Sequence, residues 1–191
     1  MADEAPILEL RSRAAWERWL AKHAGDEQGA WLKFAKKGAA VATVTYAEAL
    51  EVALCHGWID SQVRAFDETF YLQRFTPRRK RSKWSSTNRD AAIRLMEAGA
   101  MKPEGLHQVE LARADGRWDA AYESQRNMPV PDDLQRELDA DPKAREFFES
   151  LSSQNRYAIL YRLADAKKPE TRARRLEQFV AMLKEGRTLY P

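Results

Sequence analysis

Hydrophobic positions along the chain change period several times, and each change marks an element. After Ser12, a residue suited to cap a helix, Ala15, Trp16, Trp19 and Leu20 recur at helical spacing until the neighbourhood of Gly25. From Gly29 to Lys36 the period drops to two, Leu32 and Phe34 alternating with Trp31 and Lys33, which predicts a strand with one covered face. Thr45-Tyr-Ala-Glu48 has the spacing of a capping box and opens a helix striped with Tyr46, Ala49, Leu50, Ala53 and Leu54, which Gly57 stops. Trp58 to Arg64 alternates again, with Ile59, Ser61 and Val63 on one side and Trp58, Asp60, Gln62 and Arg64 on the other. Thr69 to Thr76 does likewise. With the turn at Phe66-Asp67-Glu68, the two runs predict an antiparallel hairpin ended by Pro77, which lacks a backbone donor.

Beyond this point the helical period dominates. Ser85, Ser86 or Thr87 can cap a helix carrying Ala92, Ile93, Leu95 and Met96, and Pro103 suits the first turn of another with Leu106, Val109 and Ala112 inward. Asn127-Met-Pro-Val-Pro-Asp-Asp133 has the composition of a linker. After it come helices with Ala144, Phe147, Phe148 and Leu151, then Leu160, Leu163 and Ala164, and a last one from Pro169 with Leu176, Phe179, Val180 and Leu183, meeting Gly186. The expected fold class is α+β: a small antiparallel sheet packed with helices over 1–126, a Pro-containing linker at 127–133, and an all-helical region at 134–191.

Composition narrows the function classes. The 191 residues are 44% apolar, enough for one core with a smaller lobe. No apolar run approaches the ~20 residues of a membrane span, and Met1 to Pro6 lacks the basic-then-apolar signature of a secretory signal, so a cytoplasmic location is expected. One cysteine, Cys55, forms no intramolecular disulfide, and with three dispersed histidines, His23, His56 and His107, no metal site is predicted. No cofactor is implied. The net charge of +3 is local: residues 74–83 hold six basic side chains and no acidic one, so the rest of the chain is net negative by three. Such a cluster attracts an anion over a Debye length of ~8 Å at physiological salt.

Three features can carry chemistry. Cys55-His56-Gly57-Trp58-Ile59-Asp60 sits at a helix-to-strand junction, where the helix dipole and Asp60 both favour a charged His56, making His56 and Asp60 a candidate acid/base pair. Cys55 reads as a buried core residue, because a helix C-terminus disfavours a thiolate. The second feature is the basic loop and helix start from Phe75 to Asn88, in which Arg78, Arg79, Arg81, Ser82, Trp84, Ser85 and Asn88 are candidate anion contacts, with Trp58 beside them. Its bland alternative is a solvated loop with Trp84 in the core and ordinary capping. The third is Arg172 and Arg175 at the positive end of the last helix, where cations need a negative partner: a structural carboxylate such as Asp60, Glu146 or Asp165, or a ligand shared with the basic loop.

Ala53-Leu-Cys-His-Gly-Trp-Ile-Asp60, Phe75-Thr-Pro-Arg78, Ser82-Lys-Trp-Ser-Ser-Thr-Asn88 and Ala166-Lys-Lys-Pro-Glu-Thr-Arg-Ala-Arg-Arg175 together resemble the bacterial YdeI/OmpD-associated proteins, often labelled bacteriocin-protection proteins. The resemblance implies a small bacterial cytosolic protein linked to stress or antimicrobial resistance, and supplies neither a reaction nor a cofactor. It favours the three motifs forming one site. The expected function is binding of an anionic ligand, a nucleotide, phosphate or nucleic acid, by the basic loop with Arg172 and Arg175 closing the site. The alternatives are an enzyme using His56 and Asp60 beside an arginine-bound substrate, and a module docking on an acidic protein partner.

Overall fold

A computed structural model describes residues 5–23, 25–123 and 128–191. Most of the segment read for a secretory signal, residues 1–4, and Asn127 at the start of the expected linker lie outside the described residues. The chain divides into two compact units, Met1–Ala121 and Tyr122–Pro191.

The first unit holds a four-stranded sheet in the order β1-β2-β4-β3. Its strands are β1 (Ile7–Leu8), β2 (Ala30–Ala35), β3 (Trp58–Ala65) and β4 (Phe70–Pro77), and its helices are α1 (Arg13–His23), α2 (Tyr46–Cys55), α3 (Ser86–Glu97) and α4 (Pro103–Ala114). Three strands pair antiparallel as the alternation predicts, but β1 runs parallel to β2, Ile7 opposite Trp31 and Leu8 opposite Leu32. Two residues are too few to show a period.

One sheet face is covered by helices. Ala30, Leu32, Phe34 and Phe75 pack with Trp16 and Leu20 of α1, with Ala49, Val52 and Ala53 of α2, and with Trp58. Trp16 donates its indole N–H to the Ala49 carbonyl at 3.1 Å and meets the Trp58 ring edge-on at 6.1 Å, so even the polar corner of this aromatic core is satisfied. The other face carries Trp31 and Leu72, buried with Ala5. Between Asp60 and Val63 the β3–β4 register slips, so Val63 pairs with Gln73 and Arg64 with Leu72. The regular alternation expected along β3 set Arg64 beside Trp58; the irregularity turns it to the opposite face, over Trp31.

Helix ends follow their caps. Thr45 and Glu48 form the reciprocal capping box, with Glu48 Oε2 accepting the Thr45 N–H at 2.9 Å. Ser85 caps α3 by accepting the Asn88 N–H at 3.1 Å. In α4, Val109 and Ala112 are buried, whereas Leu106, expected inward, is 38% exposed. The inward position in that first turn is Gly105: a Cβ there would stand 2.2 Å from the Cys55 carbonyl oxygen, so α4 rests backbone-to-backbone on the end of α2.

The second unit is α5 (Asp132–Ala140), α6 (Pro142–Ser150), α7 (Ser153–Ala164) and α8 (Pro169–Lys184) around Leu134, Leu138, Phe148, Ile159, Leu163, Phe179 and Leu183. α5 begins within the segment expected to be linker, its apolar positions Leu134 and Leu138 spaced one turn apart. Among the described residues no helix is long and apolar enough to cross a membrane.

Gly105→Ala is expected to destabilise the first unit by at least ~2 kcal/mol, because the clash is with backbone rather than a movable side chain. Gly25→Ala, whose added Cβ meets nothing within 4 Å, is expected to leave the urea midpoint unchanged.

Candidate functional site

The helix-to-strand junction is built from backbone. Gly57 takes φ +74°, a left-handed turn that ends α2 and launches β3. Cys55 and His56 are 4% and 6% exposed. Burial pushes the Cys55 thiol up, so it is a packing residue without thiolate character. Burial, then neighbouring Lys102, holds the His56 imidazole below its ordinary range, against opposing pulls from Glu104 and Glu17. The charged His56 expected from the helix dipole is therefore not favoured: desolvation and a lysine outweigh the dipole. Its Nε2 is buried and makes no hydrogen bond. Asp60 instead accepts the Tyr46 phenol at 2.8 Å, and burial together with this carboxylate raises the Tyr46 pKa. The carboxylate thus has a tyrosine as partner, and Trp58, fully buried in the core, has no surface to offer a ligand.

The basic loop is more ordered than a solvated charge run. Arg78 leaves β4 with its N–H on the Gly57 carbonyl at 3.0 Å, and its guanidinium lies 3.6 Å from the Trp84 ring centre. Both side chains are buried, 6% and 2% exposed. Trp84 in turn meets Trp118 edge-on at 4.9 Å. Arg78 donates to the Lys83 carbonyl at 3.2 Å, the Ser82 hydroxyl accepts the Arg79 N–H at 3.0 Å, and Arg117, itself held by Asp115, donates to the Ser82 carbonyl at 2.8 Å. Thus Arg78 and Trp84 form the loop's internal post, while Arg79, Lys80 and Arg81 face solvent in succession. Arg117 escaped the sequence reading because its only local signal is the Asp115-Gly116 turn before it.

Asn88 reaches a different surface. It lines a groove of about 330 Å³ between α2 and α3, together with Tyr46, Leu50, Glu51, Asp90 and Arg94. Through Tyr46 this groove also adjoins Asp60. The residues read as one site therefore fall into a loop, a groove and a buried junction.

Arg172 and Arg175 belong to the second unit and are employed there. Arg172 makes a forked pair with Asp133, Nε at 2.7 Å and Nη2 at 2.8 Å, and gives Nη1 to the Leu163 carbonyl at 2.8 Å. Arg175 donates to the Arg162 carbonyl. Two arginines from the start of α8 thereby donate to carbonyls in the last turn of α7, adding to the Ala166 N–H that the Leu163 carbonyl accepts at 3.2 Å. The carboxylate that compensates Arg172 is Asp133, a residue expected to be linker; the fork holds the Asp133 carboxyl below the usual range. Among the described residues no cluster of three or more His, Cys, Asp or Glu side chains is placed to hold a metal ion.

Residues 8–108, more than half of the chain, match the family described as Domain of unknown function (DUF8412). The chain belongs to the DUF8412 family. Residues 127–186 match a second family, described as Bacteriocin-protection, YdeI or OmpD-Associated, which supports the resemblance carried by Ala166 to Arg175. The junction and basic-loop motifs fall within the DUF8412 match instead. No curated protein and no solved structure matches this DUF8412 protein.

Two outcomes test this geometry. The unfolded chain takes up a proton at an ordinary histidine pKa of about 6.5, before buried His56 does. Stability from the neutral imidazole is therefore full above about pH 6.5 and lost as pH falls from there through the lower folded value. The urea midpoint is expected to fall between pH 7 and 5, and His56→Asn to flatten that slope. Asp133→Asn is expected to cost about 1–2 kcal/mol by undoing the charge-assisted fork, read as a lower midpoint of the second unit's transition.

Proposed function

We propose that this protein binds an anionic, phosphate-bearing ligand through the basic loop. One observation carries the reading: Arg79, Lys80 and Arg81 stand exposed in succession on a loop pinned by Ser82, Arg117 and the Arg78–Trp84 stack, within a ten-residue stretch that holds no acid. A pinned loop holds its cations together before a ligand arrives, so less ordering entropy opposes binding than on a floppy charge run. Phosphate suits this arrangement because arginine forks match its oxygens and lysine adds point charge. The loop also runs directly into the capped start of α3, whose first amide groups carry positive partial charge. Arg78 and Trp84 support the loop from beneath and make no direct contact in this reading. We place the activity in a bacteriocin-protection setting, on the description of the family that residues 127–186 match.

Binding of inorganic phosphate, ATP and a short oligonucleotide is to be measured against salt. Affinity for at least one is expected to fall steeply with rising salt, and the Arg79→Ala, Lys80→Ala, Arg81→Ala triple variant is expected to lose about tenfold or more and to flatten the slope. Binding of all three probes that is absent, or indifferent to salt and to the triple variant, would refute the reading.

A further inference from the structure

Cations and aromatic rings are interleaved in a second place, the sheet face that α1 and α2 leave free. Arg64 lies 4.2 Å and Arg74 5.8 Å from the Trp31 ring centre. Alongside, the Lys33 amine lies 4.8 Å from the Phe66 ring and 5.2 Å from the Phe70 ring. The register puts Trp31 opposite Arg74 and Lys33 opposite Leu72, with Arg64 opposite Leu72 from the other side, so these side chains share one face. Along β4 the same face runs Phe70, Leu72, Arg74, Thr76, and the next position in that series is Arg78, where the basic loop begins.

What this face offers is two flat surfaces and two cations. Trp31 is itself covered, 6% exposed, but Arg64, whose guanidinium rests on it, is an exposed residue, and Phe66 is 45% exposed. Guanidinium planes and phenyl rings both stack on nucleic-acid bases. Lys33 is held by Glu9 at 3.1 Å, and Arg74 uses Nη2 on the Gln28 carbonyl at 2.9 Å while its Nε is buried without a hydrogen bond, which leaves Nη1 as its outward donor. Acids in the neighbouring segments are Glu9, Asp26 and Glu27 just before Gln28, and, in the hairpin turn, Asp67 and Glu68; the Asp67 carboxylate is occupied by the Thr69 and Phe70 N–H groups. An acidic protein surface would use the cations and leave the stacking planes idle, and a duplex keeps its bases stacked inside.

We infer that this open sheet face binds single-stranded nucleic acid, with bases stacking on Arg64 and Phe66, phosphates meeting Arg74 and Lys33, and the strand continuing to the loop at Arg79–Arg81. The inference rests on the phosphate-binding reading of that loop and gives its ligand class.

The test uses the full chain and fluorescence anisotropy with a single-stranded oligonucleotide of about twelve nucleotides, within the site sizes known for such surfaces, a duplex of the same sequence, and ATP. Tighter binding to the single strand than to the duplex is expected. Arg64→Ala and Phe66→Ala, both surface changes, are each expected to weaken single-strand binding about tenfold, a single base stack's worth, while leaving ATP binding unchanged; Arg64→Lys, which keeps charge without the plane, is expected to resemble Arg64→Ala. If the loop variant abolishes binding of every probe while the Arg64 and Phe66 variants bind the single strand normally, the sheet inference is overturned and the loop reading stands. If the Arg64 and Phe66 variants lose the single strand and the loop variant binds normally, the loop reading fails and the sheet face remains. Equal affinity for duplex and single strand overturns the inference, as does a wild-type chain that binds neither.

Discussion

Three backbone groups at the end of α2 hold the first unit together. The Cys55 carbonyl accepts the Lys102 N–H at 3.0 Å and so sets where α4 begins. The Gly57 carbonyl accepts the Arg78 N–H at 3.0 Å and so sets where the basic loop leaves the sheet. Between them, the left-handed turn at Gly57 sends the chain into β3. Side chains at this point have to be small or buried: a Cβ on Gly57 would come within 2.9 Å of the Glu104 carbonyl oxygen, and one on Gly105 would strike Cys55. The Cys-His-Gly-Trp motif is accordingly a piece of architecture. Its thiol and indole fill the core, its imidazole is buried without its charge, and its glycine makes the turn.

A second constraint is the disposal of arginine. Guanidinium groups are weakly hydrated and flat, so they can be put against rings or carbonyls at modest cost where a lysine would have to keep its water. This chain uses both options. Arg78 lies on Trp84 and Arg64 on Trp31, contacts worth ~0.5–1 kcal/mol when exposed and ~2 when desolvated. Arg172 and Arg175 serve carbonyls at the end of α7. Setting these aside separates structural positive charge from charge left facing water, and in the basic stretch the latter reduces most plainly to Arg79, Lys80 and Arg81.

Features whose cause is local were legible in the sequence. The capping box at Thr45, the cap of α3 within Ser85–Thr87 and the buried stripe of α8 depend on residues within one or two turns of each other, and the hairpin from Trp58 to Pro77 on two runs joined by one short turn. Features whose cause is a distant partner were not. Nothing near Ile7 and Leu8 announces a parallel strand; it exists because β2 offers an edge. Asp133 was read as linker, yet it is the acid that Arg172 needed, 39 residues away. The slip after Asp60 is a mismatch between two strands, invisible in either, and it alone decides which face Arg64 occupies.

The candidate residues, too, are explained by neighbours inside their own units. Reading His56, Asp60, the loop and the α8 arginines together assumes that unusual residues are unusual for a shared reason. The geometry gives them separate reasons: burial against α4 for His56, a phenol for Asp60, an aromatic post for Arg78, helix-end carbonyls for Arg172 and Arg175. Once each is accounted for by its own neighbours, the loop cations Arg79, Lys80 and Arg81 stand exposed, and β4 leads from them to the sheet face where Arg64 and Phe66 are exposed. Function is then sought along that strand, where charge and flat surfaces meet water, and away from the cysteine and histidine that first draw the eye.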